Sequence, residues 1–285
     1  MSMDLLAPVL DCHGRPLRLD RPRVVGILNL TPDSFSDGGR FFDKNSAVSH
    51  ALLLAEEGAD IIDVGGESSR PGALPVSANE ELERILPVLE GLKDLQRPIS
   101  VDTRRPEVMR AALRAGASMI NDIDALAAPG ALEAVAKSDC AVCLMHKKGD
   151  PATMQQDPRY DDVVAEVFSF LKERAAACER SGIARERIVL DPGFGFGKTL
   201  EHNLALLRSL PELKAAGFPV LAGWSRKSSL GRITGRVEAG ERLAASLAMA
   251  LLSLQGGATI LRVHDVRETK DVVQVWKAYQ GELRQ

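Results

Sequence analysis

The sequence predicts an α/β chain folded as a (β/α)8 barrel with a short N-terminal hairpin, and three observations carry that expectation. Short runs rich in Ile, Val and Leu alternate with longer helical patterns along the whole chain. There are eight such alternations, without a composition break. The length of 285 residues suits one barrel, which takes roughly 250. An apolar content of 45% with a net charge of -3 is ample for a packed core and unlike a disordered chain.

The predicted strands are Val24–Leu30, Ile61–Gly65, Ile99–Thr103, Met119–Ile123, Val142–His146, Ile188–Asp191, Val220–Gly223 and Thr259–Val263. They are apolar on both faces, as parallel strands buried on both sides must be. Helical spacing fills the intervals at Ser46–Glu57, Asn79–Leu95, Pro106–Ala115, Ala131–Lys137, Asp161–Ser181, Leu200–Ala216, Glu241–Gln255 and Asp265–Tyr279. Apolar residues recur there every three or four positions. Several of these helices run into Gly, as at Gly58, Gly116, Gly182 and Gly217, the residue that most readily ends a helix. Ahead of the first strand, about residues 8–23 read as a hairpin over the barrel bottom, turning at His13-Gly14. One domain, 1–285, accounts for the chain, with a doubly wound open sheet as the alternative to the barrel.

Composition narrows the setting. No apolar run reaches the ~20 residues of a membrane helix. Met1–Asp11 has no basic start or long apolar stretch, so no signal peptide is expected and the cytoplasm is the default location. Lys and Arg are dispersed with no basic tail, which argues against nucleic acid as the main partner. Of the four cysteines, Cys140 and Cys143 form a CxxC. Residues three apart on a strand point to opposite faces, so they are expected to be plain core residues.

The functional signal is positional. Strand after strand ends in polar residues: Asn29 before Thr31-Pro32-Asp33, Asp63 before Glu67-Ser68-Ser69-Arg70-Pro71, Asp102, Asn121-Asp122, His146, Asp191, Ser225-Arg226-Lys227 and Arg262-Val263-His264. Barrel enzymes place their chemistry at the C-terminal ends of the strands. One such residue would be a turn or a cap; this many point to an active site. Asp102, Asn121 and Asp191 suit the 2-amino-4-oxo edge of a guanine or pterin, since carboxylates accept paired hydrogen bonds and an amide both donates and accepts. Arg262, His264, Asn29 and Ser69 suit an anion, with Asn29 offering a hard oxygen to Mg2+. The Gly-Lys-Thr at 197–199 is not a phosphate loop, because Pro192 stands where its first glycine belongs. The evenly spaced Gly193, Gly195 and Gly197 do not fit GxGxxG either.

Taken together, these motifs resemble the dihydropteroate synthases. The stretches Ile27–Gly39 and Gly58–Gly72 resemble the family's first two signatures. Ser100-Val101-Asp102-Thr103, Ile120-Asn121-Asp122-Ile123, Leu144-Met145-His146, the loop Asp191–Lys198, Ser225-Arg226-Lys227-Ser228 and Arg262-Val263-His264-Asp265 follow in the family's order. The resemblance spans roughly residues 24 to 280. It implies a transferase that joins 6-hydroxymethyl-7,8-dihydropterin diphosphate to p-aminobenzoate, giving 7,8-dihydropteroate and diphosphate for folate synthesis. It implies a pterin pocket of Asp102, Asn121, Ile123, Met145, Asp191 and Lys227. It implies a diphosphate site of Asn29, Ser69, Arg262 and His264 with Mg2+ at Asn29, and a p-aminobenzoate site of Arg70, Pro71, Phe196 and Ser228. Catalytic roles fall to Asp33, Arg70 and Lys227, with Asp33 beside a pterin-stabilised cation. A homodimer and inhibition by sulfonamides are further implications. Ser69 departs from the family's usual Thr but keeps the hydroxyl. The competing readings are a pterin-binding methyltransferase module, a non-catalytic paralogue and a sugar-phosphate barrel enzyme. The first would not need Asn29, the Ser69-Arg70-Pro71 loop or Ser225-Arg226-Lys227. The second would be expected to lose charged site residues. The third leaves Asp102, Asn121 and Asp191 unexplained.

Overall fold

The computed structural model describes residues 8–30, 43–68, 75–150 and 152–281. Eight parallel strands form its centre: β3 (Arg23–Asn29), β4 (Ile61–Gly65), β5 (Ile99–Asp102), β6 (Met119–Asp122), β7 (Ala141–Met145), β8 (Ile188–Asp191), β9 (Leu221–Ala222) and β10 (Ile260–Val263). The order around the sheet is β8-β7-β6-β5-β4-β3-β10-β9. A single parallel bridge, Leu190 to Val220, closes the ring between its two ends. The expected (β/α)8 barrel is therefore present.

The period of two along each strand sorts the side chains into two cores. Val24, Leu28, Ile62, Val64, Val101 and Leu144 point outward and pack under the helices. Val25, Ile61, Met119, Cys143, Val189 and Ile260 point inward and fill the barrel. Cys140 belongs to the outer cluster and Cys143 to the inner one. All four cysteines are free and buried, so the CxxC is structural, as its spacing on a strand required.

The hairpin is β1 (Val9–Asp11) paired antiparallel with β2 (Pro16–Arg18). Its Leu10, with Cys12 and Leu19, joins the inner cluster, so it plugs the bottom of the barrel. His13 sits in the turn with φ +57° and its N–H donates to the Asp139 carbonyl at 3.0 Å, a structural role. At the same end, the buried Asp60 accepts from Arg21, Arg23 and the Val24 N–H and pairs with Lys270, stapling both chain segments to the start of β4.

Helices α1 (Lys44–Glu56), α2 (Ala78–Gly91), α3 (Pro106–Arg114), α4 (Ala131–Ala136) and α5 (Val163–Arg180) follow the predicted order. Asp43, Ser77 and Asp162 cap α1, α2 and α5 by accepting from backbone N–H groups of the first turn. Four details depart from the sequence expectation. The segment expected to be one helix over 200–216 is two, α6 (Leu200–Arg208) and α7 (Leu210–Lys214). Pro211 lacks the N–H for a continuous ladder and starts a new first turn, where it is tolerated. A short helix, α8 (Ser228–Thr234), occupies a stretch with too few apolar repeats to announce itself. The start of the next helix is tightened into a 3-10 turn at Ala239–Arg242 before α9 (Leu243–Gln255). Strand β9 is two residues long where four were expected. The last helix is α10 (Val266–Tyr279).

Candidate active site

The period that fills the barrel with apolar side chains also lifts polar ones to its mouth. Asn29, Asp63, Asp102, Asn121, Asp191 and Arg262 each lie on the inward face, in phase with an apolar or small residue two positions earlier. Register sets them side by side: Asn29 is level with Gly65, Gly65 with Asp102, and Asp102 with Asn121. Met145 is level with Asp191. A Cβ at Gly65 would lie 3.8 Å from Asn29 Oδ1 and 3.6 Å from the Asp102 Cβ. Gly65 thus keeps the space between those two residues open.

The carboxylates and Arg262 form one unit. Arg262 Nε donates to Asp63 Oδ2 at 2.6 Å and its Nη2 to Asp102 Oδ2 at 2.8 Å. Asn121 Nδ2 donates to the same Asp63 oxygen at 3.2 Å. The sequence reading put Asp102 in a heterocycle site and Arg262 in a separate anion site. Here one guanidinium ties the two sides together, because the fork of Arg262 spans both carboxylates. Asp63, visible in the sequence only as one of the polar strand residues with no role attached, is the hub of this unit. It stands inside β4, two residues before the strand's end. Its inward parity was the signal available.

Electrostatics follow from burial. Burial pushes the Asp102 carboxyl up to about 7, with Arg262 opposing and the Asp63 charge adding. Burial also raises Asp191, against the pull of Lys227 and a 2.7 Å hydrogen bond from the Gly193 N–H. Lys227 is brought down to about 8 by burial. Arg262 is held cationic, since Asp63 and Asp102 outweigh its desolvation.

The loop after β8 forms one wall. Gly193, Gly195 and Gly197 all have positive φ, so their even spacing reflects a chain that turns left-handed at every second residue. A Cβ would come within 1.9 Å of the His146 carbonyl at Gly193 and 2.2 Å of the Lys148 carbonyl at Gly197. Lys198, the lysine of the false phosphate-loop match, ties this loop together. Its buried ammonium reaches the carbonyls of His146, Gly193 and Phe196 and lies 3.0 Å from His146 Nδ1. Burial beside Lys198 drives His146 down to about 3, so this strand-end histidine is a neutral strut. Phe194 is buried and stacks on Trp224 at 4.5 Å. Phe196 is half-buried, with Lys227 Nζ 4.7 Å from its ring centre. Lys227 Nζ also donates to the Phe194 carbonyl. Ile123 and Met145 are buried at the mouth, and Ser228 is exposed as the first residue of α8.

His264 follows β10, and Ser225 Oγ lies 3.0 Å from its Nδ1. Of the expected site residues, Asp33, Ser69, Arg70 and Pro71 lie outside the described residues. For Mg2+, Asn29 supplies one neutral oxygen. Among the described residues there is no cluster of three or more His, Cys, Asp or Glu side chains able to hold a metal. A single neutral oxygen would suit a Mg2+ that keeps most of its waters. It does not fit an all-protein metal cage.

Known proteins resemble this chain in sequence and in fold. The pterin binding enzyme family matches residues 25–264. The dihydropteroate synthase of Escherichia coli (strain K12) is 52% identical over 270 residues, covering 94% of this chain and 95% of the relative. The dihydropteroate synthase of Xanthomonas albilineans, solved with 4-aminobenzoic acid, superposes with a TM-score of 0.91 at 56% identity, covering 96% of this chain and 98% of that one. A second structure of the Xanthomonas albilineans enzyme, in complex with 7,8-dihydropteroate, gives 0.85 at 51% identity over 96% and 99% of the two chains. With the barrel, the order of its motifs and these relatives in agreement, the chain belongs to the dihydropteroate synthase family of pterin-binding enzymes.

Proposed function

We propose that this transferase joins 6-hydroxymethyl-7,8-dihydropterin diphosphate to p-aminobenzoate at the mouth of the barrel, releasing diphosphate and 7,8-dihydropteroate. One observation carries the assignment of the pterin to the floor. Asp63 Oδ1 and Asn121 Oδ1 are buried there with no hydrogen-bond partner among the described residues. Buried acceptors without partners are costly, and the amino and ring N–H groups of a pterin edge are donors that would satisfy such acceptors. Asp102 and Asp191 flank the same floor with carboxylates, and Ile123 and Met145 offer apolar contact to a flat ring.

In the reaction the bond between the pterin methylene carbon and the diphosphate oxygen breaks, and its electron pair leaves with the oxygen. Arg262 and His264 would bind the departing anion, and Ser69 would add a hydroxyl. Mg2+ held at Asn29, when bound, would neutralise part of the diphosphate charge. The carboxylate of Asp33 would stabilise the pterin-linked cation. The neutral aromatic amine then forms the new C–N bond with its lone pair, and the proton it sheds passes to water. Lys227, with Asp191 and Phe196 beside it, would touch both substrates. Arg70, Pro71, Phe196 and Ser228 would orient p-aminobenzoate. Much of the rate gain on this reading is positioning and a preorganised charge field.

A homodimer is the assembly we favour, with Leu252 of α9 and Val275 and Tyr279 of α10 as exposed apolar contacts. Light scattering at working concentration tests it. None of the helices of the described residues is long and apolar enough to cross a membrane, and a cytoplasmic location is the matching proposal. Sulfonamides, as mimics of p-aminobenzoate, are the expected inhibitors. The central test is product mass. The purified protein is incubated with both substrates and Mg2+, and dihydropteroate and diphosphate are followed together. Formation that requires both substrates supports the reading, and tight pterin binding without product would overturn it.

A further inference from the structure

Ser225 has no role in any of the steps above, yet it is buried at the exit of β9 against His264. The main-chain N–H of His264 donates to Ser225 Oγ at 3.1 Å, and His264 Nδ1 lies 3.0 Å from the same oxygen. A hydroxyl has one proton and two lone pairs. The amide can only donate, so it takes one lone pair. If Nδ1 also carried a proton, it would fill the second lone pair and leave the hydroxyl proton without an acceptor on His264. If Nδ1 is unprotonated, the hydroxyl donates to it and every group in the pair is satisfied. The neutral ring then carries its proton on Nε2.

The placement of Ser225 is built and not incidental. Arg226, the next residue, has φ +58°, a backbone conformation that a non-glycine residue adopts at a cost. Its N–H donates to Ser246 Oγ at 3.0 Å and its carbonyl accepts from Arg242 at 2.8 Å. Its guanidinium pairs with Asp265, the neighbour of His264. One bracket therefore fixes the exits of β9 and β10 together. It turns Ser225 to His264 on one side and Lys227 to the loop carbonyl of Phe194 on the other.

We propose that Ser225 is a positioning residue that locks His264 in the Nε2–H tautomer, so that the anionic group of the substrate meets a hydrogen-bond donor. The inference rests, for its ligand, on the reading that His264 faces the diphosphate. For its tautomer it rests on the Ser225 geometry alone.

The experiment is nitrogen NMR of the 15N-histidine-labelled full chain, with inorganic diphosphate as the titrant. His264→Gln identifies the His264 signals. In the wild type, His264 should show an unprotonated Nδ1 and a protonated Nε2. Ser225→Ala should give a mixture of tautomers, and Ser225→Thr, which keeps the hydroxyl, should restore the single form. His146, whose Nδ1 is held by Lys198, should be unchanged in every variant and reports that the fold is intact. Diphosphate affinity should fall roughly tenfold in Ser225→Ala, the worth of about one hydrogen bond, and recover in Ser225→Thr. A wild-type proton on Nδ1, or a single unchanged tautomer in Ser225→Ala, overturns the proposal. A changed tautomer with unchanged diphosphate affinity overturns the diphosphate assignment of His264 while the Ser225 lock stands.

Discussion

Replacing Asp63 by Asn keeps the shape of the side chain and removes its charge. The side chain is 1% exposed, and its Oδ2 accepts from both Arg262 and Asn121. Hydrogen bonds to a charged group are worth ~1.5–3 kcal/mol and neutral ones ~0.5–1.5. Two weakened bonds therefore cost about 2–3 kcal/mol. Part of this returns, because the Asp63 charge no longer disfavours ionised Asp102. A net loss of about 1–2 kcal/mol remains, which lowers Tm by roughly 2–8 °C for a domain of this size. Since Arg262 and Asn121 lose the group that aims them, affinity for the pterin diphosphate should drop about tenfold. Titration calorimetry without p-aminobenzoate reads the affinity, and thermal denaturation reads the stability. A double-mutant cycle with Arg262→Lys should show coupling of about 1 kcal/mol or more. Wild-type affinity in Asp63→Asn, or zero coupling, would refute the idea that this carboxylate organises the floor.

Three further outcomes follow from the same geometry. The Asp102 carboxyl is raised to about 7, so its contribution to ligand-free stability is complete below the ordinary carboxylate value and lost as pH climbs through about 7. Tm should therefore decline between about pH 5 and 8, and less steeply in Asp102→Asn; parallel curves would contradict the assignment. Pterin affinity should rise over the same interval as the carboxylate forms, and that rise should flatten in the variant. Lys198→Met removes the amine that lies within hydrogen-bond reach of three carbonyls and of His146 Nδ1. It should lower Tm by roughly 4–12 °C and raise KM for p-aminobenzoate as Phe196 and Lys227 lose their support; an unmoved Tm would show that the loop holds itself. At the other end, Asp60→Ala strips a buried carboxylate from Arg21, Arg23 and Lys270 and should cost ~3 kcal/mol or more with kcat near wild type at temperatures well below unfolding. A large fall in kcat there would mean that the barrel bottom is coupled to the mouth.

The barrel itself was legible in the sequence because buried parallel strands read as unbroken apolar runs and the helices between them keep their own period. The inward residues were legible as strand ends. What stayed hidden depended on groups meeting across the barrel. Arg262 and Asp102 are 160 positions apart, and nothing local shows that they share an ion pair. Asp63 was visible as an acid in a strand but not as the hub beneath that pair. Lys198 matched part of a phosphate motif and turned out to be a buried tie. Arg226 has positive φ although its residue type does not favour it, so only long-range partners account for its conformation. Pro211 was a readable signal: it marked the break between α6 and α7 that the apolar spacing alone concealed.

The hairpin plug at the bottom has a kinetic consequence. Side chains fill the barrel beneath the floor and the hairpin covers its far end, so among the described residues the floor is reached from the mouth. Asn121 and Asp191 are each 5% exposed, whereas Ser228 stands open at the edge. If p-aminobenzoate sits at that rim as proposed, a pterin bound on the floor would have to enter first and could not leave past it. Traffic through such a doorway runs in a queue, so an inhibitor lodged at the rim would also imprison whatever already lies beneath it.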